Sequence, residues 1–159
     1  MSYNFSLGIV PGTTLDALPV VEGDPRSFDD AVGTASFDLV GAQIGPHVVL
    51  IDPLYGAGTK SLGATVDRQV YVVSFSGVAD TYVIEAAGGA ERLRALTGGE
   101  VTEESGVPLA AEAALSGHEF PEDAHVAVVE ALLGTGLADV FDASFVTLVA
   151  GDDLMAEYG

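Results

Sequence analysis

Residues 48–61 (VVLIDPLYGAGTKS) combine the residue types of a phosphate-binding loop. An apolar run ends at Asp52 and opens into a loop that carries two glycines and the only lysine of the chain, Lys60. Such loops hold phosphate when backbone N–H groups and a lysine converge at the start of a helix. The required spacing puts glycine at two positions that are Leu54 and Thr59 here. The following SLGATVDRQ is a poor helix pattern, so we predict a turn-rich surface loop.

A second group of residues has the chemistry of a metal site. Two histidines and three acidic residues lie within SGHEFPEDAH, and His118, Glu122 and His125 could supply two imidazoles and a carboxylate to a divalent cation. The spacing matches neither the His-Glu-x-x-His helix motif nor a calcium-binding loop. The alternative is an acidic helix N-terminus with one histidine in solvent and the other at the edge of the core.

The remaining residues do not select a catalytic arrangement. The chain contains no cysteine, which excludes thiol nucleophiles, disulfides and thiolate metal ligands. It also lacks the Gly-x-Ser-x-Gly motif of serine hydrolases. Neighbouring carboxylates are too numerous for one pair to be chosen as acid and base; they include Asp29-Asp30, Glu103-Glu104 and Asp152-Asp153. The sequence therefore favours a non-catalytic protein, and we predict neither catalytic residues nor a cofactor.

The charge of the chain limits the partners that it can bind. Asp and Glu number 24 against five Lys and Arg, which gives a formal net charge of −19, and no Lys or Arg follows Arg94. Binding to nucleic acid or to an anionic membrane requires cationic groups, so we predict neither partner. A protein with a basic surface is the partner that this charge favours. The competing explanation is that the acidic residues only maintain solubility.

The candidate residues for contact with a basic partner are four glutamates. Glu100, Glu103 and Glu104 lie in one predicted strand, and Glu112 follows it. Because side chains alternate along a strand, we expect Glu103 and Glu104 to point to opposite faces. An acidic strip of this kind can steer a basic partner, but it also protects an edge strand from aggregation.

Alternating apolar residues predict an antiparallel sheet. The clearest region is a β-meander at about residues 69–105, in which QVYVVSFS and TYVIEAA each place large side chains on one face. Within it, residues 90–97 are predicted as a strand between two Gly-Gly turns, with Arg92 and Arg94 facing outwards. A half-buried strand is expected at residues 3–10, and further strands at 37–44, 47–52 and 144–150.

One or two helices are expected to pack on this sheet. Residues 121–133 have proline in the first turn, acidic residues at the positive end of the helix dipole, and Gly134 as a stop. A second helix is predicted near residues 25–35, and residues 152–159 are predicted to form a loose C-terminal tail. The expected fold is a single α+β domain over residues 1–159, with five to seven antiparallel strands.

The sequence also bears on location. No segment reaches the roughly 20 apolar residues of a membrane-spanning helix. The first twelve residues lack the charged and apolar regions of a secretory signal. We therefore expect a cytoplasmic protein, and the sequence leaves homo-oligomerisation open.

The stretch from QVYVVSFSGVADTYVIEAAGG through RLRALTGGEVTEESGVPLAAE resembles a pattern in small proteins of unknown function from GC-rich actinobacteria. In that pattern a β-meander carries an outward-facing arginine and is followed by a Gly turn, an acidic strand and a Gly-x-Pro-Leu-x-x-Glu exit. The exit here consists of Gly106, Pro108, Leu109 and Glu112. The resemblance implies an α+β fold with an antiparallel sheet, and it carries over no functional residues.

These observations favour a small acidic protein that binds a basic surface of another protein, as an immunity, inhibitor or regulatory protein does. One alternative is a ligand- or cation-binding domain that uses the His118–His125 region; another is an enzyme whose reaction the residues do not reveal. A ligand-binding domain would gain thermal stability from a divalent cation or a nucleotide, which separates it from the first hypothesis.

Overall fold

One open antiparallel sheet organises the protein as a single-domain α+β fold. The computed structural model describes residues 3–33 and 37–158. Within them the strands are β1 (Asn4–Val10), β2 (Arg26–Ser27), β3 (Leu39–Ile44), β4 (His47–Ile51), β5 (Val70–Ser76), β6 (Thr81–Ala87), β7 (Arg92–Thr97), β8 (Glu100–Gly106) and β9 (Ser144–Val149). Their order across the sheet is β2-β9-β3-β4-β1-β5-β6-β7-β8.

The predicted antiparallel meander is confirmed in β5 to β8. These four strands pair with their neighbours in chain order, and residues 90–97 form a strand as expected. The hairpin between β7 and β8 turns at Gly98 and Gly99, which both have the positive φ that such turns require. The nine described strands exceed the five to seven expected, in part because the two-residue β2 is too short to leave an alternating pattern.

The helices of the described chain differ in how well the sequence predicted them. They are α1 (Phe28–Gly33), α2 (Ala57–Val66), α3 (Pro121–Leu133), α4 (Leu137–Phe141) and α5 (Gly151–Tyr158), with 3₁₀ segments at Leu15–Ala17, Gly77–Ala79 and Ala110–Leu115. The bounds of α3 match the prediction. The helix predicted near 25–35 begins only at Phe28, because β2 pairs with β9, and residues 34–36 lie outside the described chain. None of the described helices has the length and apolar composition needed to span a membrane.

Helices cover both faces of the sheet. In β1, Leu7 belongs to a core that includes Val128 of α3, whereas Val10 belongs to a second core that includes Leu62 of α2. Six of the seven residues of β1 are therefore buried, although alternation predicted a half-buried strand. At Gly8, a Cβ atom would lie 2.2 Å from Oγ1 of Thr59 in α2, so the close contact between strand and helix requires glycine.

Two segments that were predicted to be irregular are helical. The chain after Lys60 continues α2, whose Leu62 is buried in the second core. The prediction of a loose tail at 152–159 is wrong for residues 152–158, because residues 151–158 form α5 and Leu154 is 1% exposed in the same core. Residue 159 lies outside the described chain. The N–H of Gly151 donates to Oδ1 of Asp38 at 2.6 Å, which holds the first turn of α5. Both helices depend on contacts with residues distant in sequence, which local patterns do not record.

Candidate functional site

The side chain of Asp52 fills the loop between β4 and α2. Oδ2 of Asp52 accepts hydrogen bonds from the Thr59 N–H at 2.7 Å and from the Thr59 hydroxyl at 2.8 Å, and Oδ1 accepts one from the Leu54 N–H at 2.9 Å. Asp52 is buried, and its carboxylate lies at the helix N-terminus, where a bound phosphate would lie. The sequence missed α2 because this cap comes from outside the helix.

Lys60 also stabilises the fold. Its Nζ lies 3.2 Å from Oε1 of Glu85 on β6, so the ammonium links α2 to the sheet. A Cβ atom at Gly58 would lie 3.0 Å from Oδ1 of Asp52, which shows how closely the loop packs around the carboxylate. The glycines, the lysine and the acidic residue that suggested a phosphate site therefore hold a helix against the sheet.

The three candidate metal ligands have different surroundings. His118 is exposed, and Oε1 of Glu122 accepts a hydrogen bond from the Tyr3 N–H at 2.5 Å. His125 is 1% exposed, and its ring stacks on that of Tyr82 with centroids 5.1 Å apart. Within residues 3–33 and 37–158, no group of three or more His, Asp and Glu side chains is arranged to hold a metal ion. The exposure of His118 and the burial of His125 fit the alternative of an acidic helix start with one histidine in solvent.

Burial lowers the pKa of His125. Its Nδ1 lies 2.6 Å from the carbonyl oxygen of Pro121, which can only accept, so Nδ1 carries the proton. Nε2 is buried without a hydrogen-bond partner in the described chain, and protonation would place a second N–H there. The hydrogen bond to Pro121 and the charge of Glu112 raise the pKa, whereas the charge of Arg94 on β7 lowers it further. The net effect keeps the buried ring neutral.

We expect His125 to make the protein less stable as the pH falls below about 6.5. Unfolded histidine takes up a proton near that pH, whereas the folded protein binds it only at lower pH. The stability that the neutral ring contributes is complete above the pKa of His125 in the unfolded protein. Between that pKa and the lower pKa in the folded protein, it falls by up to about 1.4 kcal/mol per pH unit. The free energy of unfolding, measured in urea at a series of pH values from 7.5 down to 5, tests this expectation.

Two variants separate the effect of His125 on stability from the effect of carboxyl groups, which also take up protons as the pH falls. The His125→Phe variant should lose stability less steeply than the wild type over this range, because phenylalanine takes up no proton in either state. The exposed His118 provides the control, and His118→Gln should follow the wild-type curve. Parallel curves for the wild type and His125→Phe would contradict the neutral, buried state.

Arg92 is the centre of a buried ionic cluster, so its predicted outward orientation is wrong. Its side chain is 1% exposed and forms two hydrogen bonds to Glu112, with Nε 2.9 Å from Oε2 and Nη2 2.7 Å from Oε1. Nη2 also donates to Oε2 of Glu104 at 2.6 Å, and Nη1 donates to the carbonyls of Ser105 and Gly106. The 3₁₀ segment after β8 places Glu112 over this face of β7, which covers Arg92.

The cluster fixes the charge of Glu112. Burial opposes ionisation of this carboxyl group, but hydrogen bonds from Arg92 and from the Leu109 N–H outweigh it and hold the pKa of Glu112 below its usual range. The hydrogen bond to Glu112 in turn raises the pKa of Arg92 despite burial. Arg94 lies on the same face with Nη1 buried, so its predicted outward orientation is also wrong. Glu112 therefore joins the 3₁₀ segment to β7 and is not a surface group.

The strand β8 forms an open edge of the sheet. All seven of its residues are exposed, and its one neighbour in the described sheet is β7. Three of its residues are glutamates and none is basic. The side chain of Glu104 is 49% exposed although it contacts Arg92, whereas Glu100 and Glu103 form no ion pair with any described residue. This edge therefore offers unshared negative charge.

A β-bulge places Glu100 and Glu103 on the same face of the sheet. In a regular strand, residues three positions apart point to opposite faces. The pairing with β7 shifts by one position after Ala95, which leaves Thr102 as the extra residue in β8. With this extra residue, both carboxylates lie on the face opposite to Arg92. No signal in the sequence indicated the bulge.

The four candidate glutamates thus divide into two pairs. Glu104 and Glu112 bind Arg92, whereas Glu100 and Glu103 lie side by side on the open edge. An exposed strand edge that carries carboxylates can pair with an extended chain of opposite charge.

Comparison with protein-family models, curated proteins and solved structures finds no match to this chain.

Proposed function

We propose that the protein binds another protein by taking up an extended basic segment as an additional strand beside β8. One observation carries this proposal: a seven-residue edge strand is exposed at every position and contains three glutamates without a basic residue. The backbone N–H and C=O groups along an open edge form a template for strand addition. The role is binding without catalysis, as for an inhibitor, immunity or regulatory protein.

The side chains of β8 specify the chemistry of the added segment. Lysine or arginine at alternate positions of that segment would face Glu100 and Glu103, which share one face of the sheet. Oppositely charged cross-strand pairs contribute roughly 0.2–1 kcal/mol each. The net charge of −19 also speeds the encounter with a basic protein at low salt.

The same charges disfavour a second copy of this chain as the occupant. Two β8 strands side by side would place six glutamates along one seam with no basic residue in either strand to offset them. Like charges on neighbouring strands are destabilising. A basic partner removes this repulsion, and it is therefore the occupant to which the proposal commits.

The competing role for β8 is protection, because a charged edge strand discourages aggregation. A titration followed by NMR separates the two roles, with a short peptide in which lysine and valine alternate as the probe. We expect salt-sensitive shifts of the β7 and β8 amides. A peptide that alternates glutamate and valine should cause none. A purely protective edge would leave these amides unchanged with both peptides.

Charge-reversal variants locate the binding on β8. Glu100→Lys combined with Glu103→Lys should weaken binding of the lysine–valine peptide by about tenfold, because two cross-strand pairs are lost. Asp16→Lys combined with Glu22→Lys changes the net charge equally at exposed positions outside β8 and should have little effect. Equal weakening by both double variants would indicate general attraction and would overturn the proposal.

A further inference from the structure

A cavity with aromatic walls opens beside the start of β1, which is four strands away from β8 in the sheet. Its volume is about 720 Å³. Its described lining includes four aromatic residues and two aspartates: Tyr3, Phe5, Phe28, Phe141, Asp29 and Asp142. This volume falls within the roughly 300–1,000 Å³ that is typical of small-molecule sites.

Four aromatic rings in the lining contact one another in a closed cycle. The centroid distances are 5.2 Å from Tyr3 to Phe5, 5.3 Å from Phe5 to Phe28, 4.8 Å from Phe28 to Phe141, and 5.8 Å from Phe141 to Tyr3. Phe5 and Phe28 are buried, whereas Tyr3 and Phe141 are partly exposed. The cycle therefore presents two buried rings with a more accessible ring on either side.

The charged groups of this lining are both negative. Asp29 in the first turn of α1 and Asp142 at the end of α4 are exposed, and no Lys or Arg is among the described lining residues. The faces of aromatic rings also carry negative potential. An anion would meet repulsion here, and a metal ion that prefers oxygen ligands would meet mainly carbon.

We propose that this cavity binds a small organic cation of the alkylated ammonium class. An ammonium group with apolar substituents can place its charge beside the aromatic rings of the lining while the substituents replace water in the cavity. Asp29 and Asp142 supply the compensating charge at the exposed rim. The site is independent of β8, so its test does not depend on the strand-addition proposal.

The probe is choline, and its uncharged carbon analogue 3,3-dimethylbutan-1-ol is the matched ligand. We expect choline to shift the ring NMR signals of Tyr3 and Phe141 saturably, and to bind at least about tenfold more tightly than the alcohol. Equal affinities would show an apolar cavity without selectivity for cations. Absence of saturable shifts with choline would also overturn the proposal.

Surface variants test the carboxylates without disturbing the core. Asp29→Asn combined with Asp142→Asn should weaken choline binding by about three- to tenfold and leave alcohol binding unchanged. Asp152→Asn combined with Asp153→Asn removes the same charge at exposed positions of α5 and should not alter choline binding. Identical choline affinities for the two double variants would overturn the assigned role of the rim. Phe141→Leu keeps the lining apolar and should reduce the preference for choline over the alcohol, because one of the four rings is lost. An unchanged preference would contradict the role of that ring.

Discussion

Replacing Arg92 with methionine is expected to destabilise the protein by about 3–5 kcal/mol. The substitution keeps a long apolar side chain but removes the guanidinium that binds Glu112 through two hydrogen bonds. The Glu112 carboxylate, with a side chain only 8% exposed, would then be buried without its counter-charge. Urea unfolding followed by circular dichroism measures the loss as a change in the free energy of unfolding.

Two further variants separate the unpaired charge from lost packing. Arg68→Met at an exposed arginine should change stability by no more than about 0.5 kcal/mol. Adding Glu112→Leu to Arg92→Met removes the second charge and should recover part of the lost stability, because an apolar pair can replace a buried ion pair. A near-wild-type Arg92→Met variant, or a double variant less stable than Arg92→Met alone, would contradict this account.

The Asp52→Ala variant is expected to lose about 2–4 kcal/mol, because buried donors would be left without an acceptor. The carboxylate accepts from the Thr59 N–H, the Thr59 hydroxyl and the Leu54 N–H, and Thr59 is fully buried. The effect should be concentrated in α2. Hydrogen exchange should therefore show faster exchange of the Thr59 amide in the variant, in addition to the global loss measured in urea.

The exposed Asp24 provides the control for this substitution, and Asp24→Ala should leave both measurements unchanged within about 0.5 kcal/mol. If Asp52→Ala unfolded at the wild-type urea concentration and kept the Thr59 amide protected, the carboxylate would not be the cap of α2.

The sequence predicted the parts of the fold that local pattern specifies. Alternation of apolar residues located the meander from β5 to β8, and the proline, acidic and glycine signals located both ends of α3. These elements carry their own start and stop signals within a few residues. The antiparallel α+β class follows from them, because hairpin turns joined successive strands.

The segments that the pattern missed are stabilised by residues that lie outside them. The α2 helix is capped by a residue of the preceding strand end, and α5 is held by Asp38 and by burial of Leu154. The orientation of Arg92 depends on Glu112, twenty residues later in the chain. The contacts of Asp38 and Glu112 lie beyond a local window, so the pattern indicated a tail and a solvent-facing arginine. Asp52 precedes Thr59 by seven residues and does not occupy the usual N-cap position, so the pattern indicated a loop there.

The candidate sites also depend on contacts that the local sequence pattern does not show. The sequence identified the acidic strand but not the bulge at Thr102 that brings Glu100 and Glu103 to one face, because the shift is visible only in the pairing with β7. The aromatic cycle joins rings from β1, α1, α4 and the residue before β1, and no spacing in the sequence relates them.

The two ends of the sheet differ in a way that sets the stoichiometry of any complex through β8. At the opposite end, the outer side of β9 is covered by β2, and the N–H of Val21 donates to the carbonyl of Thr147 at 2.8 Å. Growth of a filament by strand addition requires two mutually adhesive edges on each molecule. In the described part of the sheet β8 is the one long edge strand, because β2 at the other edge has two residues. Partner binding at β8 should therefore stop at one partner for each chain.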